Sequence, residues 1–302
     1  MHTMKKLLVA SDLSRRSERA VAQAAHLSER LGAEMTVLHV VDDELPMRVF
    51  EAEREQALRS LAETTAQLPA RFGERLAVRV VGGLDFQAIL SAAQEEEADL
   101  IVLGTHRQNV IKEVFTGTTI ERVIRNATVP VLVVKRPDPG AYTCTLAAVD
   151  LIEEGAAVLR MAHRIALGQT LYAIHILDDL VASQMRLANA GEDRILAYER
   201  DVSARCTALL NDLARSGGLP PGDYLPAVDW GSPVEQILKA AQGFRAELGV
   251  VGTRTHAKAR LERFLLGSVA EQLLLGMRCD VLAVPLPEAT PLPGSEALSA
   301  LA

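Results

Sequence analysis

Along the whole chain, short apolar runs alternate with longer amphipathic ones. "KKLLVAS" (5–11) is a brief apolar run of the kind that forms a strand buried on both faces. Ser14 then stands where a helix N-cap belongs, Val21, Ala24, Ala25 and Leu31 recur at helical spacing, and Gly32 supplies a stop. "EMTVLHVV" is a second strand, and "MRVFEAEREQALRSLAETTAQLPARF" a long charged helix. "LAVRVVGG" is a third strand and "DFQAILSAAQEEE" a helix. "ADLIVLG" is a fourth strand, "TTIERVIRNA" a helix and "VPVLVVKRP" a fifth strand. Strands that alternate with helices predict a parallel sheet covered on both faces.

The pattern then repeats. "KLLVASDLS" (6–14) aligns with "CTLAAVDLI" (144–152), which sets Asp12 opposite Asp150. "TVLHVVDD" aligns with "YAIHILDD", and "GLDFQAILSAAQEEEADLIVLGT" with "GSPVEQILKAAQGFRAELGVVGT". "GTTIERVIRNATVPVLVVKRP" aligns with "GSVAEQLLLGMRCDVLAVPLP". Four blocks in one order mean a duplicated unit. The expected fold class is α/β: two tandem, doubly wound, five-stranded parallel sheets related by a pseudo-two-fold. Domain 1 spans 1–137 and domain 2 spans 142–287, with the break in "KRPDPGAY"; residues 288–302 read as a mobile tail. The second copy is longer around "LANAGEDRILAY", which predicts extra helix or an exposed loop.

Composition narrows the function classes. The net charge of −7 argues against nucleic acid and anionic membrane as partners. No apolar run approaches the roughly 18 residues that span a bilayer. The three cysteines are far apart, which predicts reduced thiols in a cytoplasmic protein rather than a zinc or redox site. No metal site is expected: His26, His39, His163 and His175 recur between the copies but lack ligand spacing, and read as core or sheet-end histidines. The pattern GxxxxGK[ST] is absent, and no nucleophile–base pair suggests a catalytic residue.

Polar residues gather where strands end: Asp12 after the first, Asp42 and Asp43 after the second, Gly104 after the fourth. Ligands of open α/β sheets settle at such ends, where strand order reverses. Gly117, Thr118 and Thr119 open the last helix of the copy, and a helix start is an anion seat. From 104 to 125 the basic residues exceed the acidic by two, as they do from 252 to 273. Arg122 and Arg125 among them read as solvated helix positions.

These residues together resemble the universal stress protein family in its tandem form: Asp12 and Asp150, "HVVDD" and "HILDD", "LIVLGTH" and "GVVGTR", and the Gly–Thr or Gly–Ser before the final helix and strand. The resemblance covers Lys6 to about Pro287. It implies an adenine nucleotide alpha hydrolase-like fold and an ATP site, with Mg²⁺ accompanying a bound nucleotide. Carried over by motif, Asp12 and the backbone of Val40 face adenine and ribose. Gly104, Gly117, Thr118 and Thr119 face phosphate, with His106 and Arg107 in the loop between. In the second copy the matching residues are Asp150, Gly252, Gly267 and Ser268. Both copies depart from the family's glycine pattern. Arg107 replaces the middle glycine of the first, and the second loop is two residues longer, with Thr255 at that position. A non-glycine residue held left-handed costs about 1–2 kcal/mol, and a guanidinium–phosphate hydrogen bond returns about 1.5–3 kcal/mol. The balance favours domain 1 as the nucleotide site. Single-domain relatives pair through their fifth strands, which implies an intrachain pseudo-dimer here and leaves homodimerisation open. The expected function is a stress-response binding module without strong catalysis. Two alternatives stand beside it: an interaction scaffold with degenerate pockets, and a weak ATP hydrolase.

Overall fold

The computed structural model describes residues 4–105, 118–254 and 267–287. The chain divides into two units. The first runs to Ala141 and takes in Arg278–Pro285; the second runs from Tyr142 to Met277 and resumes at Leu286.

The first unit holds β1 (Lys6–Ala10), α1 (Arg15–Leu31), β2 (Glu34–Val41), α2 (Met47–Ala66) and, after a short 3-10 turn, β3 (Leu76–Gly82). There follow α3 (Asp85–Glu95), β4 (Leu100–Gly104), α4 (Thr119–Asn126) and β5 (Val131–Val134). Its strands run in the order β3-β2-β1-β4-β5, all parallel. Leu7, Leu8 and Val9 of β1 and Leu100, Ile101 and Val102 of β4 are at most 1% exposed, as continuous apolar strands covered on both faces require. Each such side chain contributes roughly 1.5–3 kcal/mol by burial. Ser14 caps α1 as its spacing predicts: its hydroxyl accepts the N–H groups of Arg16 and Ser17 at 3.3 and 3.4 Å. Gly32 ends α1 with φ of +67°, its N–H turned back to the carbonyls of Ser28 and Glu29. The long charged helix stops at Ala66, earlier than its charged periodicity suggests, because Pro69 disfavours helical backbone at the residue before it.

The second unit contains β6 (Cys144–Ala148), α5 (Gly155–Ala166), β7 (Thr170–Leu177), α6 (Leu180–Leu187), α7 (Glu192–Ser216) and β8 (Leu225–Trp230). It continues with α8 (Pro233–Gly243), β9 (Leu248–Arg254) and α9 (Ser268–Gly276). Its parallel order, β9-β6-β7-β8, repeats that of β4-β1-β2-β3. The extra length of this copy is the helix α6 and the turn that leads into α7. In both units helices pack in pairs on the sheet, α3 with α4, α5 with α7 and α8 with α9.

The final strand, β10 (Asp280–Leu286), belongs through Pro285 to the first unit, where it pairs antiparallel with β5. The two fifth strands of the sequence repeat therefore meet, and β5 is not an open edge. Among the described residues no helix is long and apolar enough to cross a membrane.

Candidate functional site

In each unit the strand order reverses between its first and fourth strands. In the first unit Ala10 pairs with Leu38 on one side and Leu103 on the other, so Ser11 and Asp12 emerge beside the ends of β2 and β4. The Ser11 N–H donates to the Leu38 carbonyl at 2.8 Å. The chain then turns sharply through Leu13, a non-glycine residue with φ of +60°. Two side chains hold that turn: Asp12 Oδ1 accepts the Ser14 N–H at 3.0 Å, and the Ser11 hydroxyl accepts the Leu13 N–H at 3.2 Å. Asp12 is exposed at the carboxyl edge and also serves the turn that starts α1. Val40 lies half-buried near the end of β2, its backbone in register with Val81.

Gly104 ends β4, in register with Val134. A Cβ there would lie 2.9 Å from the Arg16 carbonyl oxygen and 3.2 Å from the Ser17 nitrogen. The first turn of α1 thus packs against bare backbone, which gives the glycine a packing reason beside any phosphate-facing one. Thr118 is the N-cap of α4, and its hydroxyl accepts the Glu121 N–H at 3.2 Å. Glu121 is buried and ion-paired with Arg125 one turn on, and the Arg122 guanidinium lies 5.3 Å from the centroid of the Phe86 ring. The expectation that these two arginines are solvated holds for Arg122, which is exposed, and is corrected for Arg125, which is largely covered and held by a buried carboxylate. Thr119 opens α4 half-buried. His106, Arg107 and Gly117 lie outside the described residues.

The second unit carries a cavity of about 300 Å³ at the corresponding place. Asp150 lines it from beyond β6, Gly252 from β9, and Gly267 and Ser268 from the start of α9. All four residues that the repeat pattern singles out in this copy thus border one space. Much of the wall is apolar and was not legible as a site: Ile176 of β7, Pro233 and Ile237 of α8, Leu273 of α9 and Leu286. Ile176 is the repeat counterpart of Val40, a correspondence that could have flagged it. A Cβ on Gly252 would lie 2.6 Å from Leu286 Cδ1 and 3.3 Å from Val158 Cγ2, so this glycine too makes room for packing.

Two features give the cavity polar capacity. Gly267 is the N-cap of α9 and brings no side chain to cap it, in contrast to Thr118 on α4. The first turn of α9 lines the cavity, and a helix start carries N–H groups without intrahelical partners at the positive end of its dipole. His175 also borders the cavity, with Nδ1 2.8 Å from the Val149 carbonyl. A carbonyl only accepts, so Nδ1 carries the proton and Nε2 of the neutral ring is an acceptor. Burial pushes the His175 pKa below its ordinary value, which keeps the ring neutral. His39 makes the same bond to the Ser11 carbonyl at 2.7 Å. Of the other paired histidines, His163 Nε2 meets Asp223 at 2.9 Å, and the buried His26 Nε2 has no hydrogen-bond partner among the described residues. Asp42 and Asp43 are exposed, and among the described residues no three metal-ligating side chains gather.

Comparison with known proteins bears on the family and the fold. The universal stress protein family matches the chain twice, over residues 3–135 and 142–285. A universal stress protein of Methanocaldococcus jannaschii is 29% identical over 145 residues, 44% of this chain and 83% of its own. One from Thermus aquaticus is 33% identical over 135 residues, 43% of this chain and 98% of its own. The crystal structure of an Archaeoglobus fulgidus universal stress protein superposes with a TM-score of 0.67 at 19% identity, covering 94% of this chain and 99% of that one. A putative universal stress protein of Pseudomonas aeruginosa gives 0.67 at 19% identity, over 99% and 96%. These last two likenesses speak to the fold.

Proposed function

The chain belongs to the universal stress protein family, with the family's unit present twice, and we propose that it is a stress-response module that binds ATP or a related adenine nucleotide. Its second unit offers the site. One observation carries this reading: Asp150, Gly252, Gly267 and Ser268 border a single cavity where the strand order reverses between β6 and β9. The cavity lies at the lower end of the roughly 300–1,000 Å³ typical of small-molecule pockets, and suits a nucleoside. The apolar wall takes the base, Asp150 is placed for ribose hydroxyls, and the start of α9 receives phosphate oxygens. Mg²⁺, where present, rides on the phosphates. The sequence pattern favours domain 1, but α4 begins with a threonine that caps its own helix, whereas α9 begins bare. The reading is one of binding rather than turnover.

Mass spectrometry of small molecules released from the freshly purified chain tests it. Adenine nucleotide in amounts comparable with protein supports the reading. A chain that carries none, and shows no thermal shift in millimolar ATP with Mg²⁺, is the scaffold with degenerate pockets. That second reading draws on Gly104 and Gly252, whose missing side chains packing alone accounts for.

A further inference from the structure

Away from the cavity, the antiparallel pair of β5 and β10 brings a thiol, an amine and a carboxylate together. Val133 stands opposite Val281 and Leu132 opposite Leu282. Lys135 directly follows β5 and Cys279 directly precedes β10, so the two residues stand at the same end of the pair. Asp280 locks this end of the pair: its fully buried Oδ1 accepts the N–H groups of Lys135 at 2.7 Å and Arg136 at 2.8 Å. The site described above uses none of these groups. Lys135 is half-buried and Cys279 is 7% exposed, an environment that admits a small oxidant and hinders a bulky thiol.

We propose that Cys279 and Lys135 are an oxidant-triggered modification site, at which hydrogen peroxide leads to a covalent sulfenamide between Sγ and Nζ that ties β5 to β10. In the first step the thiolate attacks a peroxide oxygen. An S–O bond forms, the O–O bond breaks and hydroxide leaves, taking up the proton that the thiol had released to become water, which gives sulfenic acid at Cys279. In the second, the Nζ lone pair attacks sulfur. An S–N bond forms, the S–O bond breaks, the hydroxyl departs as water, and Nζ gives up a proton. Peroxide takes the two electrons, and thiol and amine together lose two hydrogens. The second step needs an unprotonated amine. Burial lowers the Lys135 pKa to about 8, although the nearby Cys279 and Asp280 charges oppose the shift. The neutral fraction at neutral pH is therefore far larger than for an ordinary lysine.

The test treats the intact chain with hydrogen peroxide, blocks remaining thiols, and maps peptides with a protease that does not cut at lysine. The expected product joins the Lys135 and Cys279 peptides, weighs two hydrogens less than their sum, and separates on treatment with dithiothreitol. It is absent from Lys135→Arg and from Cys279→Ser. Cys279 recovered unmodified, carrying oxygen alone, or joined to Cys144 or Cys206 would overturn the proposal. The wild-type map decides even where a variant does not fold.

Discussion

His175 Nδ1 lies 2.8 Å from the carbonyl oxygen of Val149, the residue just before Asp150. This bond ties the end of β7 to the exit of β6 and fixes the ring's tautomer at the cavity wall. Its counterpart, His39 to Ser11, does the same in the first unit, so the histidine shared by "HVVDD" and "HILDD" is a clasp at the mouth of each sheet.

Burial of the clasp histidine, which outweighs the opposing effect of its bond to Val149, makes stability depend on pH. Burial lowers the pKa of His175 in the fold, and that of His26 as well. A group whose folded pKa lies below its unfolded value of about 6.5 binds protons more readily when unfolded. Stability is therefore full above pH 6.5 and declines as pH falls below it towards the folded pKa values. Urea unfolding at pH 7.5 and 5.5 should give a lower midpoint at 5.5, and His175→Gln should reduce the difference.

Gly104 and Gly267 should respond to alanine to different degrees and for different reasons. A Cβ at 104 meets the backbone of Arg16, which cannot rotate aside, so Gly104→Ala should destabilise by about 1–3 kcal/mol. At 267 no atom of the described residues lies within 4 Å of the new Cβ and φ is −54°, so Gly267→Ala meets no clash and should cost only the roughly 0.5–1 kcal/mol by which alanine is a poorer N-cap than glycine. Denaturant titration of the two variants checks the contrast.

Thr118→Ala removes the cap of α4 and should cost about 1 kcal/mol, while Thr118→Ser retains the hydroxyl and most of the stability. Equal losses in the two variants, measured by thermal unfolding, would show that the methyl group and not the cap matters.

The two-copy plan and the strand–helix alternation were legible because each rests on patterns within a few residues: apolar runs for β1 and β4, Ser14 and Gly32 for the ends of α1, and block matches between the halves. The meeting of β5 and β10 followed from the resemblance to a family whose members pair there. What lay beyond the sequence depends on contacts between distant segments. Nothing near Gly104 announces that Arg16 will press its backbone against it. Ile176, Pro233, Ile237 and Leu286 look like ordinary core residues, and only the curve of the sheet turns them into a wall. Arg125 reads as solvated in the sequence because Glu121, its buried partner, looks like one more surface charge. The early end of α2 reflects Pro69, a breaker that the sequence does carry but that the charged periodicity running through it obscures.

Calorimetric titration of the full chain with ATP and Mg²⁺, repeated on Asp150→Ala and Asp12→Ala, bears most directly on the central claim. The account predicts saturable binding that Asp150→Ala weakens at least tenfold and Asp12→Ala leaves in place. Binding lost only with Asp12→Ala, or no saturable binding up to millimolar nucleotide, would contradict it.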